Sequence, residues 1–222
     1  MATATPSPAS IRAIETVEDL LESLGGIEPG RVRIKPPLGT ATEADLIEAN
    51  GRERGIFELV DGVLVEKAMG KMESLLAGAI IAILRGFVLP RHLGIITAPD
   101  GMMRLAPAIF RAPDIAFISW GRIPGGPLSE ESLAEVVPDL AVEVLSPSNS
   151  KAEMARKRRD YFEAGVRLVW EVDPRARTVA VFDDPERSTV LDASMTLDGG
   201  DVLPGFVLPL LDLFGELDRR GA

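Results

Sequence analysis

The chain has 222 residues, of which 46% are apolar, and it carries a formal net charge of −10, so it is long and apolar enough to bury the core of a globular domain. It has no cysteine and one histidine, His92, which excludes disulfide frameworks, thiol nucleophiles and multi-histidine zinc sites. His92 follows a helical pattern and is interpreted as a solvated loop residue. Chemistry in this chain should therefore use carboxylates, lysine or arginine, and hydroxyl groups.

The N-terminal part shows no targeting or membrane-spanning pattern. Residues 1–13 are rich in Ala, Thr, Ser and Pro, and they predict a flexible N-terminus rather than a secretory signal. The longest apolar stretch covers residues 75–84, which is too short to span a membrane. We therefore expect a cytoplasmic protein.

Two short helices are predicted next, before the strand-rich part of the chain. The first covers residues 16–24 and ends at Gly25-Gly26, and the second begins after Thr42 as its N-cap and ends near Asn50. Together they form an expected N-terminal helical extension over residues 14–50. We expect this extension to belong to a single domain over residues 14–222.

The middle of the chain alternates strand patterns with one long helix. Residues 56–66 predict a hairpin around an Asp61-Gly62 turn, and an apolar helix follows over residues 72–89. Residues 95–97 and 102–105 are short extended segments that we predict to pair with each other as a second hairpin.

The second half completes an α/β pattern. Residues 113–118 and 138–145 predict strands, and the latter is apolar except for Glu143, as expected for a central strand that is covered on both faces. A helix from Ser150 to Gly165 precedes a predicted hairpin, and a short terminal helix is expected near the end. The predicted fold is a mixed β-sheet flanked by helices.

Two carboxylates stand out in these strands. Glu143 lies among apolar residues, and a buried carboxylate needs a cation, a hydrogen-bonding partner or a raised pKa. The alternative is a structural salt bridge or a strand end that is open to solvent. Asp114 follows Pro113 at the start of the neighbouring strand, where the alternative is an ordinary turn residue, as in Pro138-Asp139.

The helix after Glu143 supplies positive charge. Its residues 151–160 include five basic and two acidic side chains, a local charge of +3. At about 100° per residue, Lys157 is predicted at the edge of the apolar stripe beside Tyr161, with Arg158 near the middle of that stripe. A solvated face is the usual meaning of such a run. The segment favours nucleic-acid binding, whereas the net charge of the whole chain opposes it.

Spaced motifs in this order resemble those of the Uma family, a bacterial family assigned to the endonucleases of the PD-(D/E)XK restriction-endonuclease-like superfamily. The resemblance spans roughly residues 40–182. The motifs are Phe57-Glu-Leu-Val-Asp-Gly62, Pro113-Asp-Ile115, Pro138-Asp-Leu-Ala-Val-Glu-Val-Leu-Ser-Pro147, Lys157-Arg-Arg-Asp-Tyr161, Gly165-Val166 and Trp170-Glu-Val-Asp-Pro174.

The resemblance implies a restriction-endonuclease-like α/β core with a mixed β-sheet flanked by helices. It also implies an endonuclease that depends on Mg²⁺ (or Mn²⁺) and hydrolyses the phosphodiester bonds of nucleic acid, with DNA as the expected substrate. On this basis Asp114 is the first metal-binding aspartate and Glu143 is the second acidic ligand. A homodimer is expected, because members of the family and superfamily often pair.

The resemblance also assigns a lysine and a third acid. The superfamily usually places its lysine two residues after the second acid, where this chain has Leu145, so Lys157 is predicted to be a relocated catalytic lysine. Glu73 on the first core helix is the candidate third metal ligand, with Glu58 as a second choice.

Two other functions fit the same sequence. The chain could be a catalytically inactive family member that acts as an oligomeric binding or structural module, which the acidic composition and Leu145 favour. It could also be a metal-dependent hydrolase with a substrate other than DNA. The nuclease hypothesis requires Asp114 and Glu143 on one face of the sheet, with Lys157 directed toward them.

Overall fold

The structure is a computed structural model that describes residues 14–68, 70–125, 128, 133 and 135–219. The predicted flexible segment 1–13 lies outside the described residues. Helices are α1 (Val17–Ser23), α2 (Glu43–Arg52), α3 (Lys71–Val88), α4 (Lys151–Ala164) and α5 (Leu210–Gly215), with 3-10 turns at Pro29–Arg31 and Glu216–Asp218. Within the part of the chain that the structure describes, no helix has the length and apolarity needed to cross a membrane.

The strands form two larger sheets and one ribbon. A four-stranded sheet has the order β2-β1-β5-β4, a six-stranded sheet has the order β10-β9-β8-β7-β6-β3, and β11 pairs with β12. The strands are β1 (Phe57–Val60), β2 (Val63–Glu66), β3 (Gly94–Thr97), β4 (Met103–Ala106), β5 (Ile109–Arg111), β6 (Ile115–Ser119), β7 (Leu140–Val144), β8 (Leu168–Asp173), β9 (Thr178–Phe182), β10 (Ser188–Asp192), β11 (Thr196–Asp198) and β12 (Val207–Pro209).

The six-stranded sheet is mixed, as predicted. Strand β7 pairs parallel with β8 and antiparallel with β6, and all of its residues are buried. Side chains alternate between the two faces of a strand. Val142 and Val144 therefore pack into the main core with α3 and α5, whereas Ala141 faces Tyr161 of α4. By the same alternation, Glu143 points toward α4.

One predicted hairpin is confirmed and the other is wrong. Strands β1 and β2 pair around Asp61 and Gly62, whose φ angles of 50° and 75° are those of a tight primed turn. Strands β3 and β4, however, do not pair with each other. β3 joins β6 in the six-stranded sheet and β4 joins β5 in the four-stranded sheet.

The segment between α1 and α2 docks onto α4. The Arg31 guanidinium donates to both carboxylate oxygens of Glu153, at 3.0 and 2.7 Å, and both side chains are buried. The Ser150 hydroxyl, which caps α4, donates to the carbonyl of Gly25. Gly25 has φ of +95°, and a Cβ built on it would lie 2.5 Å from Cα of Glu153. This close approach requires glycine.

Because Gly25 packs against α4, its substitution by alanine should destabilise the protein more than the same substitution at the neighbouring Gly26. Gly25→Ala should lower the free energy of unfolding by about 3 kcal/mol, because left-handed strain and overlap with the α4 backbone act together. Gly26→Ala is the matched control, since its φ is +67° and the nearest atom to its Cβ position is 3.9 Å away. It should cost about 1 kcal/mol, from strain alone. Urea unfolding measures both; equal losses would contradict the docking.

Candidate active site

The two predicted metal-binding carboxylates lie on the same face of the six-stranded sheet. Ile115 pairs with Val142 across β6 and β7, so extending this register by one residue places Asp114 opposite Glu143. Side chains at directly opposite positions share a face, with Cβ atoms about 5 Å apart. The geometric requirement of the nuclease hypothesis is therefore met for these two residues.

The Asp114 carboxylate is held by two donors. Its Oδ2 accepts a hydrogen bond of 2.7 Å from the backbone N–H of Val144, which immediately follows Glu143. Its Oδ1 lies 2.8 Å from Nζ of Lys67, whose ammonium also donates to the carbonyl of Ala112. The Lys67 and Asp114 side chains are both buried. Asp114 is thus fixed in orientation and paired with a lysine that the sequence analysis did not identify.

The Glu143 carboxylate is bound by α4. Its Oε1 accepts a hydrogen bond of 2.6 Å from the Tyr161 hydroxyl and lies 3.2 Å from Nζ of Lys157. The same ammonium lies 3.1 Å from Oε1 of Glu58, which comes from β1 of the four-stranded sheet. Lys157, with a side chain only 2% exposed, therefore joins carboxylates from both sheets.

The predicted orientation of α4 is wrong in one respect. Lys157 lies in the middle of the buried face, together with Glu153, Met154, Asp160 and Tyr161, whereas Arg158 lies at its edge and pairs with Glu171 of β8. The projection used the apolar residues alone to locate the buried face of α4, although charged residues are buried there as well. The three buried charged residues of α4 each have an ion-pair partner on another element: Lys157 and Asp160 pair with residues of the two sheets, and Glu153 pairs with Arg31. These pairs offset the cost of burying charge on this face of the helix.

A second buried cation extends the cluster into the four-stranded sheet. Arg111 of β5 donates from Nη1 to Oε2 of Glu58 at 2.8 Å and from Nε to Oδ2 of Asp160 at 2.9 Å. The backbone N–H of Ala112 also donates to Glu58. We call Glu58, Lys67, Arg111, Asp114, Glu143, Lys157 and Asp160 the buried charge cluster.

The buried charge cluster has one more acidic than basic group. Four carboxylates, Glu58, Asp114, Glu143 and Asp160, face three cations, Lys67, Arg111 and Lys157. If all of them are ionised, the cluster carries a charge of −1. A proton or an additional cation would neutralise it, and such neutralisation is strongly favoured in a buried site.

The pKa shifts of Glu143 and Glu58 show how the excess negative charge affects these two carboxylates. Burial raises the pKa of Glu143, and although Lys157 and Lys67 oppose this, the nearby carboxylates of Asp114 and Glu58 add to it. Burial also acts on Glu58, but Lys157, Arg111 and Lys67 outweigh it and lower its pKa to about 2. The ionised form of Glu143 is therefore disfavoured, whereas that of Glu58 is stabilised.

The partners of Glu143 remain protonated. Burial by itself lowers the pKa of Lys157, but the carboxylates of Glu143 and Glu58 raise it above its usual value. Burial, followed by the charges of Glu143 and Glu58, raises the pKa of Tyr161 well above its ordinary value. Both groups therefore remain hydrogen-bond donors to the Glu143 carboxylate.

The two candidates for a third acidic ligand have different positions. Glu58 is buried within the cluster and contacts Arg111 and Lys157. Glu73 is half-buried in the first turn of α3, and among the described residues no hydrogen bond or ion pair joins it to Asp114 or Glu143. The structure brings together Asp114, Glu143, Lys157 and Glu58, but not Glu73.

Several members of the cluster were missed by the sequence analysis. Arg111 and Asp114 flank Ala112-Pro113, and a charged residue beside an apolar strand was a usable signal for Arg111. Lys67 carried no such signal, because a lysine after a short strand is normally solvated. Its burial arises only where the end of β2 meets the start of β6.

The donor set fits a hard divalent cation by its chemistry. The carboxylates of Asp114 and Glu143 are oxygen donors of the type that Mg²⁺ and Mn²⁺ prefer, and the cluster has an unneutralised negative charge. Over residues 14–219, apart from the positions that are not described, no three acidic or histidine side chains converge as a preformed metal-binding group. Lys67 and Lys157 lie between the carboxylates instead.

The bridging position of Lys157 leads to a stability prediction. Lys157→Met should lower the free energy of unfolding by about 3 to 5 kcal/mol, because it removes the cation that pairs with buried Glu143 and one of the two cations that pair with buried Glu58. Arg159→Met on the same helix is the control. Arg159 is exposed and lies 3.9 Å from Glu186, so its loss should cost about 0.5 kcal/mol or less. Denaturant unfolding of both variants is the measurement, and a similar small loss in both would contradict the bridging role.

Comparisons with known proteins identify the family and the fold of the chain. The model of the Uma2 family, "Putative restriction endonuclease", matches residues 42–211, and no curated protein matches the chain. Among solved structures, a putative nuclease belonging to DUF820 from Anabaena variabilis is 21% identical, with a TM-score of 0.67 over 74% of this chain and 93% of that chain. This likeness confirms the predicted restriction-endonuclease-like α/β fold. Because the family match covers more than half of its residues, the chain belongs to the Uma2 family.

Proposed function

We propose that the chain is a metal-dependent endonuclease that hydrolyses phosphodiester bonds in DNA, with Mg²⁺ or Mn²⁺ held by Asp114 and Glu143. One observation carries the proposal: these two buried carboxylates occupy facing positions on adjacent strands, in a cluster that lacks one positive charge. The nuclease-like character of the matching family and of the similar structure supports it.

A cation bound by these residues would act as a Lewis acid. It would lower the pKa of a bound water and polarise a phosphoryl oxygen. The residues of this chain prepare the site. The Val144 N–H fixes the Asp114 carboxylate, and the Tyr161 hydroxyl and the Lys157 ammonium fix the Glu143 carboxylate. Prepositioned ligands need no reorganisation during the reaction.

Lys157, the predicted catalytic lysine, has a defined task in this proposal. Its ammonium contacts Glu143 and Glu58, so its charge favours the ionised form of Glu143 and holds that carboxylate in place. The usual lysine position of the superfamily is Leu145, on the strand itself. An amine from α4 therefore provides positive charge on the face that holds both acids. The site therefore retains the positive charge of the superfamily pattern, but a helix rather than the strand supplies it.

Substitution of the two acids tests the proposal. Asp114→Asn and Glu143→Gln should each reduce Mg²⁺- or Mn²⁺-dependent DNA cleavage by about 100-fold or more, because each removes a charged metal ligand. Cleavage of circular and linear DNA, with and without a chelator, is the measurement. Circular dichroism verifies that the variants are folded.

Glu171→Gln is the matched control for this experiment. Glu171 pairs in register with Glu143 on the neighbouring strand, is also buried, and is held by Arg158 rather than by the buried charge cluster. Its substitution should leave cleavage within about threefold of the wild type, as expected for a residue outside the reacting groups. Full activity in both Asp114→Asn and Glu143→Gln would exclude the proposed site.

A second candidate function is an inactive binding or structural module. One observation favours it: both oxygens of Asp114 already have partners, and the ammonium of Lys157 is shared by two carboxylates. A cluster satisfied internally can serve stability alone. Mn²⁺ titration distinguishes the two functions, since a ligand that binds the native state raises the melting temperature. No shift at millimolar Mn²⁺ would favour the inactive module.

A homodimer is also part of the proposal. The six-stranded sheet ends at β10, whose residues are mostly exposed, and an exposed edge strand is a surface that proteins commonly cover. Light scattering of the purified chain should give about twice the monomer mass of 23.8 kDa. A monomer mass at micromolar concentration would contradict this.

A further inference from the structure

Lys67 places a full positive charge at the site that the proposed function gives to a metal ion. Its Nζ lies 2.8 Å from Oδ1 of Asp114, and the same ammonium donates to the carbonyl of Ala112. The Asp114 oxygen that faces Lys67 is the one that is not occupied by the Val144 N–H. An ammonium and a divalent cation cannot both contact this oxygen along the same direction.

We propose that Lys67 is a built-in cation that competes with the divalent metal for Asp114, and that it thereby sets the affinity of the site for metal. This inference rests on the proposed function, because it assumes that Asp114 is a metal ligand. In the form seen in the structure, Lys67 occupies Asp114. In the metal-loaded form, the ammonium of Lys67 leaves Oδ1.

The charges of the cluster support competition rather than cooperation. With Lys67 in place, three cations already face four carboxylates, so a divalent ion would convert an excess of one negative charge into an excess of one positive charge. If Lys67 moves away, the same ion balances the remaining charges completely. Buried clusters favour neutrality. Metal binding and the departure of Lys67 are therefore coupled by electrostatics.

The positions of the two lysines indicate which one can leave. Both lysine side chains are only 2% exposed, so burial does not distinguish them, but Lys157 lies on a helix between two carboxylates. Lys67 follows the last residue of β2, and its partner Asp114 is the more accessible acid, with 11% of its side chain exposed against 5% for Glu143. Its flexible four-carbon stem can carry the ammonium toward solvent, and its departure takes a cation from Asp114 alone, whereas the departure of Lys157 would take one from both Glu143 and Glu58.

The test measures metal binding rather than activity. Mn²⁺ is titrated into wild-type protein and into Lys67→Gln and Lys67→Met variants by calorimetry, with the melting temperature followed in parallel. Lys67→Gln retains an N–H donor for the Ala112 carbonyl and keeps the experiment decisive if Lys67→Met does not fold. Both variants should bind Mn²⁺ at least about tenfold more tightly than the wild type, because a competing charge has been removed.

Lys71→Met is the matched control for this experiment. Lys71 is exposed in the first turn of α3, four residues from Lys67, and its loss changes the net charge by the same amount. It should change Mn²⁺ affinity by about twofold or less, because exposed charges are screened.

The outcomes separate this inference from the proposed function. If the wild type and the Lys67 variants bind Mn²⁺ equally, and Asp114→Asn abolishes binding, the metal site stands and Lys67 does not compete for it. An equal gain in Lys71→Met would also overturn the inference, since a general charge effect would explain the result. If none of the proteins binds Mn²⁺, both proposals fail together. Tighter binding confined to the Lys67 variants supports the competition.

Discussion

The buried carboxylate of Glu143 is the constraint on which the rest of this structure depends. It lies in the middle of a strand that is covered on both faces, where an unpaired charge would be prohibitively costly. Its cost is offset by Tyr161 and Lys157, and Lys157 in turn requires α4 to face the sheet with a charged side chain. The position of the helix and the state of the acid are therefore determined together.

The same interaction joins the two sheets. Lys157 contacts Glu143 in the six-stranded sheet and Glu58 in the four-stranded sheet, and Arg111 continues the contact from Glu58 to Asp160 of α4. These ion pairs are fully buried, so each one is far more sensitive to the removal of a partner than a surface pair would be. The site and the packing of the two sheets are thus a single structural unit.

The charge balance connects structure with chemistry. A cluster with one uncompensated negative charge is stable with a proton on Glu143 or with an added cation, and the raised pKa of Glu143 reflects that choice. The nuclease proposal and the inactive module differ only in whether a metal ion takes this place. Lys67 is central to that difference, because it already neutralises Asp114. A site of this kind can keep the family fold while its affinity for metal is adjusted by one side chain.

The sequence by itself determined the α/β pattern, the Asp61-Gly62 hairpin and the placement of Asp114 and Glu143 on neighbouring strands, because each depends on local periodicity or on a short motif. Only the tertiary structure decided the partners of β3 and β4, the burial of Lys157 rather than Arg158, and the roles of Lys67 and Arg111. Pairing between distant strands and pairing between buried charges are both non-local. Sequence patterns locate buried faces from apolar residues, so they do not show which lysine and arginine side chains are buried. The packing of the two sheets against α4 shows this.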